Sequence, residues 1–285
     1  MKRSAAKLLA LVGVVLLAAA EVRADDSNVT IRLGGFFSQV DSSIGAEAPG
    51  MGLQKRVDLE SDLSLETSYN TPMFELHYQW SENHSLIFNW VQLRRSGLKQ
   101  AITEPFELEF GDEKLSVQAG AELLTSIKLD LFQLAYGYDF YRTPEFIGTV
   151  TVGVHIFYEQ AEFSGRIGAA NEGHWSTLDF DTVSAEFAAP MPDLGVQLRW
   201  NLTPGLQLGG RLQGFALEYD RFKGHILDLR FEMVQSINDR FALGVGYQFY
   251  NMEVDYRYDL TSQRSAVLDF DGQFQGPVMF LQYQF

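Results

Sequence analysis

The last ten residues constrain the fold more than any other stretch. Along Gly276-Pro277-Val278-Met279-Phe280-Leu281-Gln282-Tyr283-Gln284-Phe285, the side chains of Met279, Leu281, Tyr283 and Phe285 share one face of an extended strand, and Gln282 and Gln284 lie on the other. The alternation runs to the final residue, an aromatic. A water-soluble fold gains little from an apolar row at a fraying terminus. A closed barrel in a bilayer requires one, because its outer face must be apolar and its last strand must pair with its first.

The other end points to export. Lys2, Arg3 and Lys7 form a basic start, Leu8 to Ala20 an apolar core, and Val22-Arg23-Ala24 a small-x-small cleavage site. The core is too short for a membrane helix, so residues 1–24 are expected to be a removed secretion signal and 25–285 a single domain. No later stretch approaches eighteen consecutive apolar residues, which excludes a helical membrane protein. Removing residues 1–24 takes away four cations and Glu21, so the formal charge of -15 becomes about -18. So acidic a chain is a poor partner for a phosphate backbone, and no nucleic acid is expected. Outward acids suit lipopolysaccharide, with divalent cations bridging carboxylate and phosphate. With no cysteine, disulfide frameworks and thiolate chemistry are closed.

Between the ends, apolar residues recur at period two. Ile31, Leu33, Gly35 and Phe37 alternate with Arg32, Gly34 and Ser38, and Phe74, Leu76, Tyr78 and Trp80 with Glu75, His77 and Gln79. Residues 84–94 return with a less clear facing. Phe132, Leu134, Tyr136, Tyr138 and Phe140 oppose Gln133, Ala135, Gly137 and Asp139, and Val150 to Tyr158 oppose a row ending in His155 and Glu159. The second half repeats this, with Leu227, Leu229, Phe231 and Met233 against Asp228, Arg230 and Glu232, and Phe241, Leu243, Val245, Tyr247 and Phe249 against small residues and Gln248. Pro190 and Pro192 predict irregular or late pairing before Leu194.

Tight turns near 81–83, 142–145, 201–205 and 238–240 alternate with longer connections near 41–70, 95–124, 161–183, 219–224 and 258–266. Short internal turns and long external loops are the pattern of an outer-membrane barrel. The count gives an all-β, antiparallel transmembrane barrel of about ten strands, with eight to twelve open. Its lipid face should include Leu76, Tyr78, Leu134, Tyr136, Leu229, Phe231, Val245, Tyr247, Leu281 and Tyr283. A soluble β-sandwich or lipocalin-like barrel also alternates. Its solvent face would use lysine freely, whereas the polar face here carries arginine and carboxylate.

On the C-terminal residues Leu281, Tyr283 and Phe285, the chain resembles Gram-negative outer-membrane β-barrels, whose final strand is read by the barrel-assembly machinery. A second likeness rests on Asp58-Leu59-Glu60-Ser61-Asp62-Leu63-Ser64-Leu65 and the later Leu134, Tyr136 and Tyr138. It resembles a group of outer-membrane barrel proteins without assigned activity, and it extends over most of the mature chain. The resemblance implies fold and outer-membrane location and implies no reaction; outer-membrane lipids and lipopolysaccharide are the expected partners.

Chemistry has few footholds. A barrel esterase needs serine, histidine and an acid in mutual reach. His155 with Glu159 on one strand face is the best base–acid pair, with Ser164 five residues beyond Glu159, while His174, Asp179 and Asp181 offer the residue types of a barrel protease. No phosphate loop or zinc motif is present, and no cofactor or metal is expected. Arg32, Arg199, Arg211 and Arg230, with Glu75, His77, Asp139, His155, Glu159, Asp228 and Glu232, are expected to line the lumen and pair there, since an isolated buried charge is costly. Asp58, Glu60 and Asp62 suit a plug, a cation loop or a solvated loop. The function expected is a monomeric, non-enzymatic, porin-like envelope protein with a structural role or one in small-molecule passage or binding. The alternative is a barrel enzyme acting on lipid A, phospholipid or peptide through His155 or His174.

Overall fold

The computed structural model describes residues 28–48, 53–100, 106–110, 113–117, 122–171, 174–219, 222–261 and 264–285; the expected signal, 1–24, lies outside them. The strands are β1 (Asn28–Ala48), β2 (Leu53–Asp58), β3 (Ser68–Gln79), β4 (His84–Lys99), β5 (Phe106–Phe110), β6 (Glu113–Val117), β7 (Glu122–Arg142), β8 (Phe146–Asn171), β9 (His174–Thr203), β10 (Leu206–Tyr219), β11 (Phe222–Ser236), β12 (Phe241–Thr261) and β13 (Arg264–Gln284). Ten of them form a closed antiparallel ring in the order β1-β3-β4-β7-β8-β9-β10-β11-β12-β13, with β13 returning to β1. Closure runs from Thr30 opposite Gln284 to Glu47 opposite Val267. In hydrocarbon, closure removes the free edges of the first and last strands, which is why such a chain closes at all.

The segments read as external loops are largely strand. β1 reaches Ala48, β7 starts at Glu122, and β8 and β9 pair as far as Asn171 opposite His174. Alternation continues there beyond the lipid band, so pairing continues too. β5 and β6 form a separate two-stranded hairpin. β2 and β3 pair with successive parts of β1, β3 with Asn28–Gln39 and β2 with Ser43–Ala48. They are one wall strand interrupted by residues 59–67.

Facing follows parity. On β11, Ile226, Asp228, Arg230 and Val234 are buried inside while Phe231 and Met233 are exposed outside. Leu134, Tyr136, Val245, Tyr247, Met279 and Leu281 are exposed on the same outer surface. Near the short turns this surface carries an aromatic girdle. Trp80 stacks on His84 with ring centroids 6.1 Å apart, and Tyr283 packs 4.9 Å from Phe241 and 4.7 Å from Phe285. Toward the other end the apolar band stops at Trp90 and Gln92, whose side chains both donate to Asp130 (3.2 and 2.6 Å) beside Lys128.

The prolines open one ladder and spare the other. β8 pairs straight through them, with Val154 opposite Pro192 and Ile156 opposite Pro190. β10 pairs with β9 only from Leu206 to Gly214, the last partner being Leu194, although β10 continues to Tyr219. Residues 190 and 192 share parity, so their nitrogens, lacking hydrogen, face the same neighbour. The ladder that stops marks that neighbour as β10.

Leu229 lies in the outer row of β11, between Leu212 and Phe249. Leu229→Arg should cost about 2–4 kcal/mol if it sits near the bilayer midplane, read as a shift in denaturant unfolding from lipid vesicles. An unchanged midpoint would place it away from lipid.

Candidate functional site

The lumen is built in two layers. The lower, nearer the short turns, is a charged cluster. Glu75 on β3 is bound by Arg230 on β11, approached by Arg32 at 3.3 Å and by Arg211 on β10 at 3.8 Å. Glu232 receives Arg32 at 2.9 Å and the Nε of Arg230 at 3.0 Å, and Asp228 receives Arg211 at 3.0 Å. Three guanidinia thus meet three carboxylates. Gln282 accepts from Arg32 Nε (2.9 Å), Gln248 donates to Asp228 (2.8 Å), and the Phe280 ring lies 4.7 Å from Arg32 and 5.2 Å from Arg230. β3 and β10 stand diametrically opposite, with four strands between them either way round. The cluster therefore crosses the bore. Arg230 is only 1% exposed, and such a charge is tolerable only because its partners fix it.

The upper layer is apolar. Phe36, Val40, Leu93, Leu129, Phe157, Met191, Ile226, Tyr250, Met252, Val254, Phe274 and Val278 pack together from walls all round the ring. A residual cavity of about 40 Å³ lies among them, touched by Ser38, Thr71 and Gln248. That space holds a few waters at most. Above it, the interruption between β2 and β3 turns inward. Val57, Leu59, Leu63 and Leu65 are buried, Leu63 completely. Leu65 bridges to Gly97, where a Cβ would stand 2.5 Å from the Ser64 carbonyl oxygen, so glycine permits the approach.

The expected lumen residues do not all join one cluster. Asp139 binds Arg142, three residues along, and accepts from Thr149 at 2.5 Å. His77 and Arg199 line a polar cavity below the cluster. Glu159 pairs across from Leu129, above the outer polar rim. His155 does not meet Glu159, because four residues along one strand span about 13 Å. Its Nδ1 instead stands 2.8 Å from Asp193 Oδ2 on β9, beside Phe157 and Tyr250. Asp193 is the diagonal neighbour across the pair His155–Met191. The side chains of His174, Asp179 and Asp181 lie outside the described residues.

The acids of 57–65 divide their work. Glu60 points inward, bound by Arg95 and by the backbone and hydroxyl of Ser42 (2.9 and 2.8 Å). Asp58 accepts from the Ser61 amide (2.6 Å) and Asp62 from the Asp58 amide (3.0 Å), so both cap a turn. Carboxylate oxygens of Asp41, Asp58 and Glu60 lie within 4.8 Å of one another, but those of Glu60 are already engaged. Arg95 and Asp193 escaped the sequence reading. Parity places each in the lumen row, on β4 with Asn89 and on β9 with Arg199.

Glu75→Gln should remove the shared acceptor of Arg230 and Arg32, and breaking a buried pair costs about 3–5 kcal/mol. Adding Arg230→Met should restore part of that loss. Denaturant unfolding of both variants checks this, and a wild-type midpoint for the single variant would show that the cluster does not hold the barrel.

No protein-family model and no curated protein sequence matches the chain. Among solved structures, the outer membrane protease OmpT of Escherichia coli aligns with a TM-score of 0.53 and 11% identity, covering 92% of this chain and 97% of that one. The toluene transporter TbuX of Ralstonia pickettii aligns at 0.33 and 10% identity, covering 93% and 90% of the two chains. Ail, the attachment invasion locus protein of Yersinia pestis, aligns at 0.32 and 8%, covering 91% and 99%. Only the first likeness carries weight, and it is one of fold. The chain has the fold of the bacterial outer-membrane β-barrels.

Proposed function

We propose that this chain is a non-enzymatic integral protein of the cell outer membrane, a monomeric barrel with a sealed bore. The observation that carries this reading is the contact of Glu75 with Arg211 and Arg230 on the far side of the lumen. Under it the cluster closes the lower bore, the apolar layer closes the upper, and the inward segment 59–67 covers the top. A barrel of ten strands is narrow enough for side chains to fill it. Its short turns face the periplasm and its long strands the exterior, where acidic residues meet lipopolysaccharide and outer-membrane lipids.

The enzyme reading through His155 has less support. His155 and Asp193 are buried between the two layers and flanked by aromatic rings, so a lipid or peptide would have to unpack the bore to reach them. The pair serves better as a polar tie between β8 and β9.

In planar bilayers the purified barrel should show no steady open conductance, and Glu75→Ala together with Arg230→Ala should introduce one. Steady conductance of the wild type would overturn the sealed bore.

The final strand also carries the assembly role we assign to Leu281, Tyr283 and Phe285. The Phe285 amide donates to Val29 at 3.0 Å, next to the ring closure. Deleting Phe285 should lower insertion by the barrel-assembly machinery while export across the inner membrane continues, measured by fractionation and heat-modifiable gel mobility. Normal insertion of the truncated chain would remove that role.

A further inference from the structure

Below the charged cluster, toward the short turns, the bore ends in a cavity of about 170 Å³. Its wall includes Arg32, Arg211, Arg230, Glu75 and Glu232 from the cluster, together with Arg199. Arg32, Arg211 and Arg230 are matched by Glu75, Asp228 and Glu232. Arg199 is not matched. It makes no ion pair or hydrogen bond among the described residues, and Asp139, the carboxylate that most attracts it, is already held by Arg142 and Thr149. The cavity therefore holds one guanidinium in excess.

Around that charge stand Thr30, Gln79, Gln197, Gln207, Gln282 and Gln284. Primary amides offer donors and acceptors at once, the complement of hydroxyl groups. A guanidinium cannot give up its proton, and it presents a planar fork to oxyanions. Few apolar side chains line the space, so an acyl chain or aromatic ring gains nothing there. At about 10–15 Å³ for each water-sized occupant, the volume holds roughly eleven to seventeen of them, room for a ligand of about ten non-hydrogen atoms.

We propose that this cavity is a binding site for a small hydroxylated oxyanion, of the size of a three-carbon phosphate or hydroxy acid, anchored by Arg199 and entered from the short-turn end. The site is blind because the cluster forms its roof, so the inference rests on the sealed bore for its shape and calls for capture rather than passage. The arginines of the roof are held by their own carboxylates and add field without being free to move. The ligand supplies the charge that Arg199 lacks.

The test is calorimetric titration of the full barrel in detergent micelles with glycerol 3-phosphate, glycerate, inorganic phosphate and uncharged glycerol. The expected result is saturable one-site binding of glycerol 3-phosphate or glycerate, with glycerol silent and inorganic phosphate weaker. Arg199→Gln should weaken binding about tenfold or more, as loss of a charge-assisted pair does, and Arg199→Lys should retain part of it. Lys223→Gln, at the opposite end, should change nothing. Should Arg199→Gln fail to fold, Gln207→Ala and Gln197→Ala carry the test, since each should weaken the hydroxylated anions more than phosphate. No saturable binding, or equal binding by Arg199→Gln, overturns the proposal. Phosphate binding as tightly as glycerol 3-phosphate overturns the role given to the amides. Conductance measured on the same preparation separates the two readings, because a sealed barrel that binds nothing sinks this inference alone.

Discussion

Closure of the ring by β1 and β13 is the constraint on which the interior depends. A strand edge in hydrocarbon would expose a row of amides and carbonyls with no water to receive them. Once β13 meets β1, the outer row of the last strand lies in the lipid band and its inner row enters the lumen. That inner row supplies Gln282 and Phe280 to Arg32 and Arg230. One strand thus closes the wall and helps to seat the charges that close the bore.

The two layers inside answer different physical demands. Residues from opposite walls can interlock only if they reach the axis, and arginine with glutamate spans the distance that leucine cannot. The charged cluster therefore bridges a width that aliphatic side chains would leave as a void, and its net neutrality keeps the cost of burial low. The upper layer achieves the same end with Phe157, Tyr250, Phe36 and Phe274, whose rings are large enough to meet. The inward segment with Leu59 and Leu63 completes it, with Glu60 drawn in because Arg95 and Ser42 are there to receive it.

The wall was more legible in the sequence than the lumen. Where the charged cluster covers one face, as on β11, alternation of apolar and polar residues gave the facing outright, whereas on β3 Leu76, expected on the lipid face, is buried and borders the lower cavity. On β4 alternation did not, because Val91 and Leu93 point into the apolar layer and Ile87 borders the lower cavity, while Leu86, Phe88 and Trp90 lie on the other face. With both faces apolar the period vanishes. Parity also gives a residue's face without its height. Glu75 and Arg230 share a face in any register, but that they meet depends on the stagger of every strand between them. The same gap produced the mistaken partner for His155, since Glu159 shares its face and lies too far along it, whereas Asp193 is brought level by the pairing of β8 with β9. The inward turn of 57–65 was open for a similar reason. Interleaved leucines announce a buried side, and only the contacts of Glu60 and Leu65 tell which way it faces.

The halted ladder between β9 and β10 has a mechanical consequence. A continuous hydrogen-bond ladder resists both separation and sliding, so a barrel with ten intact seams has nearly uniform stiffness around its girth. Above Leu194 the β9–β10 seam is open, and above Met73 opposite Val91 the β3–β4 seam opens too, since β2 pairs with β1 alone. At the first opening Met191 on β9 approaches β11 instead, its Sδ 3.0 Å from where a Gly224 Cβ would stand. Packing of that kind slides more readily than hydrogen bonds break. The upper cylinder is accordingly hinged rather than hooped, and a lateral squeeze is absorbed at these two open seams, leaving the charged cluster below in a section whose hoops are complete.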